Sequence, residues 1–171
     1  MKEVEYTAEI DATPDAIFQS LLDEKFLEQL QERLEKVTNV ELVSLEERED
    51  GMIRRVTRYT APADLPRFLR PFKDRAPDEV NWDEVAIIDP AKYRMRFEII
   101  PEVPDHWHDL YESRGLLAAT AIDKGRSRVE QRMNYSVDTP ALGFLINRAI
   151  SNEVSNIFKA RADVFRKFAG R

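Results

Sequence analysis

The sequence predicts an α+β protein in which a curved antiparallel sheet wraps around one long C-terminal helix. Three observations predict this fold class. Apolar residues recur at helical spacing from Pro140 to Ala169, most of the chain before them alternates apolar and polar residues with the period of a strand, and turn residues separate these strands. Because the apolar face of such a helix is too wide to remain in water, the sheet is expected to cover it.

The composition is that of a globular protein. The 171 residues are 43% hydrophobic and 34% charged, which predicts a single domain over residues 1–171. The formal net charge of −6 argues against a nucleic-acid partner, which needs a basic face. The absence of cysteine excludes disulfides, thiolate metal sites and a cysteine nucleophile. Because the sequence holds no signal-like or membrane-spanning apolar run, a cytoplasmic protein is expected.

The first segment is predicted to be a strand followed by two short helices. The alternating apolar residues of the strand are Val4, Tyr6, Ala8 and Ile10. Thr13 is the expected N-cap of the first helix, and Pro14 is its expected first residue. A second helical pattern covers residues 24–36, and Asp23 marks the break between the two helices.

Four strands are predicted in the middle of the chain. They cover residues 40–44, 53–60, 80–88 and 92–99. Asp50-Gly51 separates the first two and is a strong hairpin signal. Residues 61–77 hold four prolines and are predicted to form a loop. The clearest alternation in the chain places four apolar residues on one face of the last of these strands, namely Tyr93, Met95, Phe97 and Ile99.

The last part of the chain completes the sheet and forms the long helix. A segment from about residue 108 to 122 and a strand over residues 126–137 bring the number of predicted strands to seven. The buried face of the final strand is expected to hold Val129, Met133, Tyr135 and Val137. The helix follows, with Thr139 as its expected N-cap and Gly170 just past its end.

This order of elements is that of the helix-grip fold. Motifs at residues 12–18, 63–66 and 125–129 accompany it, together with Tyr135, Pro140 and Gly143. On these features the chain resembles the START-like (SRPBCC, Bet v 1-like) superfamily of lipid-transfer proteins, polyketide cyclases and pollen-allergen-like binding proteins. Within that superfamily it is similar to a bacterial START-like family of unknown function (DUF2505). The resemblance covers the whole chain and implies a hydrophobic cavity between the sheet and the long helix.

The expected cavity supplies the main candidate binding site. Strand residues that face inward would oppose residues on the first turns of the long helix, and tyrosine hydroxyls among them would orient a polar head group. The predicted ligand-binding residues are Trp82, Tyr93, Met95, Phe97, Leu117, Met133, Tyr135, Leu145, Ile146, Ala149 and Ile150. The alternative interpretation is that these side chains simply fill the core.

Two further segments hold residue types that can carry chemistry. His106 and His108 share a face if they lie on a strand, but the set of metal ligands is incomplete and no activated nucleophile adjoins them, so neither a metal nor a catalytic residue is predicted. Residues 82–84, with Arg58 and Tyr59, hold carboxylates that would act as acid or base if they faced the cavity. An outer, solvated face is favoured for them, because acidic residues are rarely buried unpaired.

The proline-rich loop combines apolar and basic residues. Those predicted to form a lid or to touch a membrane are Leu65, Arg67, Phe68, Leu69, Arg70 and Phe72. Such a segment near the cavity mouth would suit transient contact with an anionic membrane surface. The alternative is a packed lid with solvated arginines.

The protein is predicted to bind a lipid or other hydrophobic small molecule. Transfer of that molecule is an extension of this prediction, and no cofactor is expected. A cyclase- or hydratase-like enzyme acting in the same cavity is the second hypothesis, and it requires a buried ionisable group. A protein-interaction module with a closed core is the third. Function inferred from fold alone is an analogy, so the choice among them depends on the residues of the site.

Overall fold

The computed structural model describes residues 1–62, 79–102, 109–138 and 143–169, without the side chains of residues 143–146. Seven strands and three helices lie within these ranges. Their order is β1 (Lys2–Ile10), α1 (Pro14–Leu21), α2 (Phe26–Glu32), β2 (Asn39–Glu47), β3 (Ile53–Pro62), β4 (Glu79–Asp89), β5 (Arg94–Pro101), β6 (Tyr111–Asp123), β7 (Arg126–Val137) and α3 (Gly143–Ala169).

The strands form one antiparallel sheet in the order β1-β7-β6-β5-β4-β3-β2. Each strand from β2 to β7 pairs with its neighbour in sequence, whereas β1 pairs with β7 so that Lys2 lies opposite Tyr135 and Ile10 opposite Ser127. Helices α1 and α2 therefore connect the two edges of the sheet, β1 and β2. The predicted fold class, a seven-stranded curved sheet with two short helices after the first strand and a long C-terminal helix, is confirmed.

The start of α1 and the break between the two short helices lie where the sequence predicts them, whereas α2 (Phe26–Glu32) is shorter than the predicted helix over residues 24–36. The Thr13 hydroxyl accepts a hydrogen bond from the Ala16 amide at 3.1 Å, and Pro14 opens the helix. The Asp23 carboxylate accepts from the amide of Lys25 at 2.8 Å, in the turn between α1 and α2. Gly51 has a φ of 81° in the hairpin that joins β2 to β3. These local signals are confirmed.

Tyr93 differs from its predicted place in a strand. It has a φ of 54° in the turn between β4 and β5, and β5 begins one residue later at Arg94. Its carbonyl accepts a hydrogen bond from the Ala119 amide at 3.1 Å, and its ring lies 5.9 Å from that of Phe18 on α1. These contacts hold a left-handed backbone that alternation alone does not reveal.

Helix α3 crosses the concave face of the sheet and contacts β1, β7, α1 and α2. Its buried side chains in the second half are Val154, Ile157, Phe158, Ala160, Arg161, Ala162, Val164 and Phe165. The rings of Phe165 and Phe26 are 5.5 Å apart, which places α2 against the end of α3. Sheet and helix thus bury one shared core, as the helix-grip fold requires.

No helix within the described ranges combines the length and the apolar character needed to cross a membrane.

Candidate functional site

Polar side chains occupy the concave face of β3 and β4, beneath α3. Alternation along β3 directs Arg55, Thr57 and Tyr59 inward, and each is at most 4% exposed. On β4, Glu84 lies directly opposite Thr57 and is 2% exposed. Arg161 reaches the same place from α3 and is 1% exposed. We call these five residues the interior polar cluster.

Arg161 is the ion-pair partner of Glu84. Its Nη2 atom donates a short hydrogen bond to Oε2 of the Glu84 carboxylate. The guanidinium carbon also lies 5.2 Å from the centre of the Phe97 ring and 6.0 Å from that of Phe158. Aromatic faces attract a desolvated cation, so the two rings partly compensate the burial of Arg161.

Arg55 forms a longer ion pair with Glu84 than Arg161 does. Its Nη1 atom donates to the carbonyl of Leu21, the last residue of α1, at 2.8 Å. Its Nη2 atom lies 4.0 Å from Oε1 of Glu84, beyond hydrogen-bond distance. The carbonyl end of α1 is a favourable place for a cation, which explains part of the stability of Arg55 in the interior.

Several atoms of the cluster have no hydrogen-bond partner among the described residues. They are Nε of Arg55, Oγ1 of Thr57, Oε1 of Glu84, and Nε and Nη1 of Arg161. Buried polar atoms are rarely left unpaired, and each one costs about 1–3 kcal/mol when it is. The cluster therefore has unused capacity to bind a polar group.

Burial and the neighbouring charges shift the ionisation of the cluster. Burial disfavours the charge of Arg161, but Glu84 and Tyr59 outweigh that effect and raise its pKa. Burial lowers the pKa of Arg55 against the attraction of Glu84. Burial, then the negative charge of Glu84, raises the pKa of the Tyr59 hydroxyl to about 12. Tyr59 is consequently a neutral hydrogen-bonding group near neutral pH.

The predicted segment at residues 82–84 is divided between the two faces of the sheet. Asp83 lies outside and forms an ion pair with Arg58 at 2.9 Å. For Glu84 the favoured outer-face interpretation was wrong, because Arg161 supplies the buried partner that the sequence did not reveal. Trp82 is half-buried beside it, and its ring stacks on that of Tyr59 at 5.5 Å with an interplanar angle of 1°.

The other predicted ligand-binding residues lie at different depths. The buried ones are Met95, Phe97, Leu117, Met133 and Tyr135. Ile150 is half-buried and Ala149 is exposed on α3. The Tyr135 hydroxyl donates to the carbonyl of Asn147 at 2.7 Å and also pairs with the hydroxyl of Ser151, so it joins β7 to α3. Phe97 lies against the guanidinium of Arg161, and Trp82 stacks on Tyr59, so both contact the interior polar cluster.

Part of the predictions lies outside the described residues. These are the lid residues Leu65, Arg67, Phe68, Leu69, Arg70 and Phe72, the histidines His106 and His108, the helix-end residues Thr139, Pro140 and Gly170, and the side chains of Leu145 and Ile146.

Sequence reasoning missed Arg55, Thr57, Arg161 and a further buried polar residue, Gln131, whose amide nitrogen donates to the carbonyl of Phe158 at 2.8 Å. A signal for them exists. On β3 the inward set begins at Ile53 and repeats every second residue, and Arg55 falls on it. On α3, Arg161 is three and four residues from Phe158 and Ile157 and so lies within the apolar stripe. A charged residue at a position that the hydrophobic periodicity predicts to be buried is therefore the signal of an interior polar group.

A second, shallower feature lies at the ends of β5 and β6. Their backbone pairing extends only to Phe97 and Gly115. Beyond it, the Ser113 hydroxyl accepts from the Ile99 amide at 2.8 Å and donates to the Ile99 carbonyl at 3.1 Å. The open end forms a cavity of about 150 Å³, lined by Glu98, Ile99, Ile100, Pro101, Tyr111, Glu112 and Ser113. Its lining does not include the interior polar cluster.

Comparison with solved structures shows the same fold in proteins of low sequence identity. TTHA0849 from Thermus thermophilus is 21% identical with a TM-score of 0.64, over 95% of this chain and 96% of that one. The ZhuI aromatase/cyclase from Streptomyces sp. R1128 is 15% identical with a TM-score of 0.56, over 95% of each chain.

Norcoclaurine synthase from Thalictrum flavum, solved with dopamine and hydroxybenzaldehyde, is 12% identical with a TM-score of 0.62, over 97% of this chain and 87% of that one. At these identities the likeness shows the fold alone. No curated protein sequence matches the chain. The family model described as "Protein of unknown function (DUF2505)" matches residues 5–168, and the chain therefore belongs to that family, to which its sequence was predicted to be similar.

Proposed function

We propose that this protein binds a hydrophobic small molecule in its interior, between the concave face of the sheet and α3, with the interior polar cluster facing the bound molecule. The observation that carries the proposal is the set of unpartnered hydrogen-bonding atoms on Arg55, Thr57, Glu84 and Arg161. A core that only had to pack would be at least as stable with apolar residues at these positions. Polar groups converging inside an apolar interior are typical of a ligand site.

The surroundings of the cluster suit an apolar ligand. Phe97 and Phe158 meet edge to face at 6.3 Å, and the Tyr59–Trp82 stack lies on the neighbouring strands. Aromatic side chains provide large apolar surfaces with few rotatable bonds, so a ligand loses little entropy when it packs against them. We retain the remaining predicted ligand-binding residues, including Met95, Met133 and Ile150, as part of this proposal, except Ala149, which is exposed.

Substitution on α3 tests whether the interior takes up a molecule. Ile150 is half-buried on the inner side of α3, whereas Asn152 is exposed on the same helix. We expect Ile150→Trp to abolish uptake of lipid from a total lipid extract, measured by mass spectrometry of the repurified protein, because the indole occupies the space of the ligand. Asn152→Trp is the matched control and is expected to take up as much as the wild type.

The same experiment contains the outcome that opposes the proposal. If the site around Ile150 is solid core, the larger side chain overpacks it and destabilises the protein by about 1–3 kcal/mol. Loss of stability in Ile150→Trp, together with no uptake by the wild type, would mean that this interior is filled by the protein itself.

A cyclase-like enzyme is the second candidate, because the structure contains the buried ionisable groups that it requires. Glu84 is 2% exposed and Tyr59 is 1% exposed, and both face the interior. A carboxylate and a neutral phenol in such a place can exchange protons with a bound substrate. Two proteins of the same fold are named an aromatase/cyclase and a norcoclaurine synthase. Recovery of a compound chemically altered after uptake would favour the enzyme over simple binding.

A further inference from the structure

The interior polar cluster carries one more positive charge than negative charge. Arg55 and Arg161 each bear a guanidinium, and Glu84 is the carboxylate between them. In the described part of the chain neither arginine has another acidic partner. The Tyr59 hydroxyl is neutral near pH 7, as an ordinary phenol is, so it does not balance the second cation. The sum of the three ionised groups is a single positive charge.

This positive charge lies in the interior, where it destabilises the folded protein. All three ionised side chains are at most 5% exposed, and their further neighbours include the rings of Phe26, Phe97 and Phe158. In an interior of low dielectric an uncompensated ion is far less stable than at the surface. Aromatic faces and the carbonyl of Leu21 offset part of this cost, but they carry no net charge. A mobile anion would offset the remainder.

The free hydrogen-bonding atoms fit such an anion. Nε and Nη1 of Arg161 and Nε of Arg55 are donors without an acceptor among the described residues. The Thr57 hydroxyl, directly opposite Glu84 in the sheet, is a further free donor. Guanidinium groups bind carboxylates and other oxyanions with good geometry. Among the described residues of the cluster, Oε1 of Glu84 is the only carboxylate oxygen without a hydrogen-bond partner. Donors without a partner therefore outnumber carboxylate oxygens without one.

We infer that the ligand is a hydrophobic acid carrying one negative charge, whose acidic group binds Arg161 and Arg55 and whose apolar part packs against Phe97 and Trp82. This inference rests on the proposed function and specifies the chemical class of its ligand. Glu84 then has a positioning role, because it fixes the Arg161 guanidinium from one side and leaves its other donors to the ligand.

Two fluorescent probes that differ in one acidic group test the inference. Anilinonaphthalene sulfonate is an apolar monoanion, and phenylnaphthylamine is the same aromatic skeleton without the sulfonate. In fluorescence titrations of the wild type we expect the sulfonate to bind roughly tenfold more tightly or better, since truncating a buried charge contact commonly has at least that effect. The neutral probe measures the apolar contribution alone.

Three variants locate the preference. Arg161→Gln is expected to abolish it, and Arg58→Gln is the matched control, because it removes the same charge from the outer face, where Arg58 pairs with Asp83. Arg161→Gln leaves Glu84 buried without its partner and can unfold the chain. Glu84→Gln therefore provides an independent test: it keeps a hydrogen-bond acceptor for Arg161, removes the competing negative charge, and is expected to increase the preference for the sulfonate.

The outcomes separate the inference from the function on which it rests. Equal affinity for the two probes in the wild type, or an unchanged or reduced preference in Glu84→Gln, overturns the inference while hydrophobic binding stands. A preference that disappears in Arg58→Gln places the anion on the outer surface and also overturns it. If neither probe binds and the purified protein yields no extractable molecule, the proposed function fails, and the inference fails with it.

Discussion

At the scale of single residues, the molecule is distinguished by charged side chains at positions where its own periodicity predicts apolar ones. Arg161 lies in the apolar stripe of α3, and Arg55 and Glu84 lie on the inner face of the sheet. Each is stabilised by something specific: a carboxylate, a helix-end carbonyl or an aromatic ring. Removing one partner would leave the other charges buried and unpaired, so a single substitution in the cluster is expected to destabilise the protein.

The buried hydroxyl of Tyr59 predicts a response to alkali. Its pKa is raised from 10.0 to about 12 by burial, then by Glu84, so the unfolded chain loses this proton at lower pH than the folded protein. The stability from the protonated hydroxyl is fully present below pH 10 and is lost as pH rises through 12. A shift of this size corresponds to about 2–3 kcal/mol.

Tyr59→Phe removes this ionisation. We expect its free energy of unfolding to fall less steeply than that of the wild type over the interval between the two pKa values, as measured by urea unfolding at a series of alkaline pH values. Parallel curves for the two proteins would show that Tyr59 ionises equally easily in the folded and unfolded states.

At the scale of elements, β5 and β6 show how a close contact shapes the site. Gly115 on β6 lies opposite Phe97, and the Phe97 ring occupies the space where a Cβ atom at position 115 would stand. That ring in turn supports the guanidinium of Arg161. The absence of a side chain at Gly115 is thus what allows Phe97 to lie beneath the cluster.

Gly115→Ala is therefore expected to destabilise the protein by about 1–3 kcal/mol, because the Phe97 ring must move within a packed core. Gly125→Ala is the control, since nothing lies within 4 Å of the added atom and its φ is not positive. Thermal and urea unfolding of both variants measure the difference. Equal stability of the two variants would indicate that Phe97 moves at no cost.

The elements were more predictable than the chemistry they carry. Apolar residues that recur with the period of a strand or of a helix are strong signals, so the strand from Val4 to Ile10 and the apolar stripe of α3 could be assigned from the sequence. The helix cap at Thr13 could be assigned from its residue type and the proline after it. Tyr93 was misplaced because its left-handed backbone is imposed by contacts with Phe18 and Ala119, which are distant in sequence. Arg161 was missed, and Glu84 was assigned to the outer face, because a charge is ordinarily exposed and the burial of each depends on the other across 77 residues.

At the scale of the whole molecule, the surface and the interior differ in charge. The chain has a formal net charge of −6, whereas the described interior polar cluster sums to a single positive charge. The cluster lies where β3, β4 and α3 converge and where the end of α1 closes the same region through Leu21. Sheet, long helix and short helix thus all contribute residues to the proposed site.

The measurement that tests this account most directly is native mass spectrometry of the protein purified from its own host, followed by organic extraction. We predict an equimolar hydrophobic small molecule that bears an acidic group. An empty protein that also takes up nothing from a total lipid extract would contradict the account, because the unpartnered buried atoms of Arg55, Thr57, Glu84 and Arg161 would then serve no ligand.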